Sequence, residues 1–183
     1  LSFNTGDKIK EYGGIEPRLS IRYNFNKQNS IRLSYNRINQ YINLISNTAV
    51  IAPSDLWKLS DTYVKPLVCD QFAIGYFSNT EKGEYETSFE IYYKPYKNVI
   101  EYKNGAQIIL NDYIEADLIN AKGQNFGFET FVKKNNGKLT GWISYTFSKS
   151  LRKTNSVMLE EKINRNELFP ATLDRPHNLV ING

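Results

Sequence analysis

Cysteine occurs once in this 183-residue chain, at Cys69, so no disulfide joins two of its own segments. Histidine is equally scarce: His177 stands alone, far from Cys69 in sequence. A lone His and a lone Cys offer no metal-ligand spacing and no ready Cys–His pair. Phosphate-cradling glycine loops, nucleophile elbows and Glu-rich metal signatures are missing as well, so neither an enzyme nor a bound cofactor is expected. No run approaches the ~18 apolar residues of a membrane helix, and mean hydropathy is -0.50. Helical spanning is thereby excluded, but a β-barrel is not, because its strands are only half apolar. Net charge is a mild +4, with Lys and Arg scattered through turns and loops. Nucleic-acid binding wants a clustered basic stripe, and none is present.

What the chain does have is alternation. Aromatic residues make up 14%, thirteen of them Tyr, as strands and interfacial girdles require. The clearest stretch is 123–150. Phe126, Phe128, Thr130 and Val132 alternate with Gly127, Glu129 and Phe131. Beyond Asn136-Gly137 the rhythm resumes, with Leu139, Gly141, Ile143, Tyr145 and Phe147 against Thr140, Trp142, Ser144, Thr146 and Ser148. Period-two patterning on both sides of Asn-Gly predicts a hairpin. Each arm runs roughly nine to eleven residues, enough to cross a bilayer when tilted.

The same unit recurs. Leu19, Ile21, Tyr23 and Phe25 alternate with Ser20, Arg22 and Asn24, after Pro17 at the strand's start. A short turn at 26–29 leads to Ile31, Leu33 and Tyr35 against Arg32, Ser34 and Asn36. A third strand near Val68–Phe77 and a fourth near Tyr85–Tyr93 flank a turn at 79–83. The fourth sets Phe89 and Ile91 against Glu86, Ser88 and Glu90. A seventh strand starts near His177. Long connections are expected at about 38–66, 94–122 and 151–176. The hairpins repeat with a period of roughly 54 residues.

Short turns at one end and long loops at the other match outer-membrane barrels. The predicted fold is therefore all-β: an antiparallel up-and-down transmembrane β-barrel, with about seven strands here, short periplasmic turns and long extracellular loops. Leu1 is no initiator Met and the final residues break off as a strand begins, so an internal piece of one larger barrel domain is expected. In hydrocarbon the sheet must close, because every backbone polar group needs a partner within the protein. Apolar rows would face lipid. Arg22, Arg32, Glu86, Glu90 and Glu129 all lie on polar rows and would face a wet lumen, since a lipid-facing Lys or Arg costs roughly 2–4 kcal/mol. A soluble lipocalin-like barrel or sandwich binder alternates equally well, with the apolar row inside.

Several pieces, in order, carry a family likeness. They are Glu16-Pro17-Arg18-Leu19-Ser20 with Tyr23, Asp70-Gln71 with Gly75-Tyr76, and Phe126-Gly127-Phe128-Glu129. Gly141-Trp142-Ile143-Ser144-Tyr145-Thr146 comes next, then Phe169-Pro170-Ala171 with Asp174-Arg175-Pro176-His177. Together they resemble the barrel region of TonB-dependent outer-membrane receptors. That resemblance implies a barrel of about 22 strands around a plug, in the outer membrane of a Gram-negative bacterium. It also implies energy from the TonB complex through an N-terminal box outside this sequence. The implied partners are outer-membrane lipid, the plug, TonB and a scarce solute such as a siderophore, cobalamin, glycan or peptide. A surface lipoprotein is a further candidate. A passive channel or an adhesin is the rival barrel.

Candidate sites divide by position. The polar-row charges would contact the plug or line the solute path, and plug contact is favoured because protein fills most of such a lumen. Trp57, Asp112, Glu115 and Asp117, with Glu101, are the loop candidates for ligand contact. Trp57 is expected to brace its own loop, and the carboxylates to be solvated. Asp174-Arg175-Pro176-His177 is expected to form a corner in which Asp174 and Arg175 pair. Tyr35, Tyr76, Tyr92, Tyr93 and Phe147 are assigned to aromatic girdles.

Overall fold

The computed structural model describes residues 10–45, 56–106, 111 and 113–183. Seven strands neighbour one another in an antiparallel sheet. They are β1 (Arg18–Asn24), β2 (Asn29–Gln40), β5 (Leu67–Asn79), β6 (Tyr85–Tyr102), β7 (Leu118–Lys134), β8 (Gly141–Lys153) and β10 (His177–Asn182). Between β2 and β5, strands β3 (Ile42–Ile45) and β4 (Leu56–Leu59) pair as a separate ribbon, and the short β9 (Phe169–Pro170) lies on β8. Short 3-10 turns sit at Ile114–Asp117, Leu159–Glu161 and Ile163–Asn166.

The up-and-down order matches the expectation, and closure does not appear. Among the described residues, β1 and β10 each have one neighbour in the sheet, which is an open strip. The three tight turns fall where the alternation placed them. In the first, the Asn26 side-chain oxygen accepts the backbone N–H groups of Gln28 and Asn29 at 2.9 and 2.7 Å, a local bond that favours turning over continuing the strand.

About half of one expected loop is strand. The connection placed at 94–122 shrinks to 103–117, because β6 runs 18 residues and β7 runs 17. A bulge breaks the alternation: pairing slips between Lys97 and Val99, and Asn98 adopts φ 59°. One inserted residue reverses the phase of the strand beyond it. The Asn98 side chain is held by the Pro66 carbonyl at 2.8 Å.

The apolar rows of the sheet are largely exposed. Leu19, Ile21, Phe89 and Ile143 are 60%, 56%, 40% and 50% exposed, while Cys69 and Ala73 on the other face of the strands are buried. Most of the dry side chains lie beyond the sheet's middle, at the long-loop end: Ile45, Val64, Val99, Ile114, Ile119 and Ala121. Among the described residues no helix is long and apolar enough to cross a membrane.

Candidate functional site

Strand register assembles two opposite faces. Residues directly paired across strands share a face, so rows can be traced across the sheet. Ile21, Leu33, Ile74, Ile91, Phe128, Phe147 and His177 form one row crossing all seven strands. Tyr23, Ile31, Tyr76, Phe89, Thr130, Tyr145 and Leu179 form the next. This face is apolar and exposed. Tyr35, Tyr76, Tyr93 and Phe147 lie on it as the sequence implied. Tyr92 does not: it pairs with Ala73 and Gly127 on the opposite face. Neighbouring strand residues point to opposite sides, so Tyr92 and Tyr93 could not both belong to a girdle.

The second face gathers the charges. Arg22, Arg32, Gly75, Glu90, Glu129, Thr146 and Asn178 form a row. Arg32 reaches across β5 to Glu90 at 3.1 Å, over the Phe77 ring at 4.7 Å. Gly75 makes this possible. A β-carbon there would lie 3.0 Å from the Glu90 carboxylate and 2.9 Å from the Phe77 ring, so the bare backbone leaves room for both. Arg22 donates to Ser30 at 3.1 Å, and Glu86 accepts from the Asn135 side chain at 2.7 Å. All five polar-row candidates thus share one face, and four of them share one row. Glu90 and Glu129 face each other directly, a pairing that costs energy unless a cation is near. Arg32 supplies one for Glu90.

The loop candidates separate. Trp57 lies on β4, 64% exposed, and so does not brace its loop by burial. Asp112 lies outside the described residues. Glu115 and Asp61 both pair with Lys58, the latter at 2.9 Å. Glu101 belongs to β6 rather than to a loop, and pairs with Arg152. The Asn111 side chain donates to Asp117 at 2.8 Å. Lys103 meets Glu161 at 3.2 Å. These carboxylates are therefore structural ties, within one loop for Asp117, between strands for Glu101 and between separate segments for Glu115 and Glu161, and not simply solvated charges. The expected Asp174–Arg175 corner forms differently: Asp174 accepts the Ser150 N–H at 2.8 Å, and the Arg175 carbonyl accepts from Ser148. His177 sits on the apolar face, bonded through Nδ1 to the Tyr145 hydroxyl at 2.8 Å. Cys69 is on the other face, four strand steps away, so no Cys–His pair exists.

One cluster carries no local signal in the sequence. Arg37 and Asp70 pair at 2.7 Å, joined by the Tyr35 hydroxyl at 2.8 Å, at the long-loop edge of the apolar face. The partners are 33 and 35 residues apart, beyond any local pattern. Among the described residues no group of three or more His, Cys, Asp or Glu is arranged to hold a metal ion.

The loop ties predict an acid response. A bond from Lys58 holds Glu115 below the usual carboxylate range. Bonds from Ser156 and Lys103 do the same for Glu161. Burial opposes ionisation of Asp61, but backbone and Lys58 bonds outweigh it and also lower its pKa. A carboxylate with a depressed folded pKa stabilises above its unfolded value, and that stabilisation is lost as pH falls through the folded one. The loops should hold from about pH 5 upward and loosen below about pH 4. Trp57 emission, read in a Trp142→Phe background, should be flat down to about pH 5 and then shift.

No protein-family model, curated protein or solved structure matches this chain.

Proposed function

We propose that the chain is barrel from a TonB-dependent outer-membrane receptor, which captures a scarce solute with its extracellular loops and admits it when TonB rearranges the plug. The observation that carries the membrane part of this reading is the exposed apolar face. It runs across seven strands, half-buried at Phe128, Thr130, Tyr145 and Phe147. The other side carries the paired charges and small residues together with Phe77, Tyr92, Phe131 and Trp142. Monomeric soluble proteins rarely leave a contiguous apolar face of several strands open to water. A soluble barrel or sandwich would put these rows inside.

The receptor part rests on the ordered motifs from Glu16-Pro17-Arg18 to Asp174-Arg175-Pro176-His177. On this reading β1 and β10 pair with further strands, since open edges in hydrocarbon leave backbone groups unsatisfied. The row Arg22, Arg32, Glu90 and Glu129 then faces the plug. No covalent step is involved.

The test uses the full-length protein. It should fractionate with outer membranes, resist extraction by high salt, and co-purify with TonB in detergent. Uptake of at least one of a ferric siderophore, cobalamin, an oligosaccharide or a peptide should stop when the proton gradient is collapsed. Flux that survives collapse would identify a passive channel. Surface attachment without uptake would identify an adhesin, and recovery in the soluble fraction would end the membrane reading.

A further inference from the structure

Three lysines form a ladder on the exposed apolar face, at its long-loop end. Lys97 of β6 lies opposite Lys122 of β7, which lies opposite Lys153 of β8. Adjacent strands are about 4.8 Å apart, so the three side chains leave the sheet within about 10 Å of one another. All three are exposed. Four residues nearer the middle, the same strands carry Tyr93, Phe126 and a fourth exposed cation, Lys149.

Like charges placed directly opposite destabilise a sheet, so this row calls for a counter-anion. Among the described residues, Lys97, Lys122, Lys149 and Lys153 make no ion pair within 4 Å; Asp70 acts on Lys97 at longer range, but its carboxylate is already bound to Arg37 and Tyr35. Several cations elsewhere do have an acidic partner within 4 Å: Arg32 has Glu90, Arg152 has Glu101, Lys103 has Glu161 and Lys58 has Glu115. This row is set apart by its three lysines standing directly opposite one another beside the apolar band.

We propose that this ladder binds the anionic, phosphate-bearing headgroups of lipids in the leaflet facing the long loops. The proposal rests on the membrane reading of the apolar face. Its geometry fits the chemistry. Tyr93 to Lys97 is about 13 Å along a strand, or about 10 Å of height at a tilt near 40°. The headgroup layer begins where the hydrocarbon ends and is roughly 5–7 Å deep on each side. Lysine stems lie along apolar surface and place their ammonium groups at such a boundary. With Tyr93 and Phe126 taken as the boundary, the ladder's backbone stands about 3–5 Å beyond the headgroup layer, and the long lysine side chains reach back into it.

The test compares the full-length protein with its Lys97→Gln/Lys122→Gln/Lys153→Gln variant. Both are inserted into phosphatidylcholine vesicles with and without phosphatidylglycerol, and lipid carried by the released protein is counted by native mass spectrometry. The wild type should retain phosphatidylglycerol preferentially. The triple variant should lose that preference by about a hundredfold, since each lysine at an anionic surface is worth roughly 1 kcal/mol and 1.4 kcal/mol is tenfold. A triple Lys→Arg variant should retain it. If wild type and the Gln variant hold phosphatidylglycerol equally, the ladder is not the site. Displacement by an equal concentration of inorganic phosphate would show a free-anion site and overturn the lipid assignment. Insertion into phosphatidylcholine alone reports separately: if the wild type fails to insert, the membrane reading falls and the ladder proposal with it.

Discussion

Ile91→Arg should sharply lower the amount of full-length protein in the membrane and its stability there, while an arginine two strands away on the opposite face should be tolerated. Ile91 lies near the middle of the apolar face, 48% exposed, between Ile74 and Phe128. In water an exposed Ile→Arg change is usually worth within about 0.5 kcal/mol either way. Facing hydrocarbon, the same change costs roughly 2–4 kcal/mol near the bilayer midplane. The two environments thus differ by several-fold, which makes the substitution decisive. Thr146→Arg is the control: Thr146 is on β8, on the charged face opposite Glu129, where a cation gains an acidic neighbour. Outer-membrane yield and unfolding in detergent should fall for Ile91→Arg and stay near wild type for Thr146→Arg. Equal behaviour of the two variants would remove the case for lipid on the apolar face.

The second large effect is steric. Gly127 is buried on β7 between Tyr92 of β6 and Ser148 of β8. A β-carbon there would lie 2.2 Å from the Phe147 carbonyl oxygen, 2.8 Å from the Tyr92 hydroxyl and 2.9 Å from the Ser148 Cα. The first and last of these are backbone atoms in paired strands, which cannot swing aside as a side chain can. Relief requires that β7 and β8 separate or that Tyr92 leave its place over the glycine. Overpacking of this kind typically costs 1–3 kcal/mol, and Gly127→Val adds branched bulk, so about 3 kcal/mol is expected. Gly13→Ala should be silent, because nothing lies within 4 Å of the added carbon. Equilibrium unfolding of both variants checks the contrast. A Gly127→Val protein as stable as wild type would mean that β7 and β8 do not pair in this register.

Much of the fold is legible from the chain. Composition marks the hairpin turns at Asn26, Gly83 and Gly137, and period-two spacing marks the apolar and polar rows of β1, β2 and β8. The departures have definite causes. Residues 94–102 read as loop because Pro95, Lys97 and Asn98 suggest a turn, and because the bulge at Asn98 shifts the phase of Val99, Glu101 and the residues beyond. Tyr92 falls on the wrong face when adjacent aromatics are treated as one band. Glu115 and Glu101 read as solvated because their partners, Lys58 and Arg152, lie 57 and 51 residues away.

The sequence by itself determined which side chains share a face along each unbroken stretch of strand, since alternation is a covalent property of extended backbone and needs no partner. Past the bulge at Asn98 in β6 only the pairing decided it. Only the tertiary structure decided which rows meet. Glu90 rather than another acid stands beside Arg32, and three lysines from three strands stand in line, because register is set by pairing and stagger between segments that long loops leave free to slide. A shift of two residues would have kept every strand's apolar face and dispersed both arrangements.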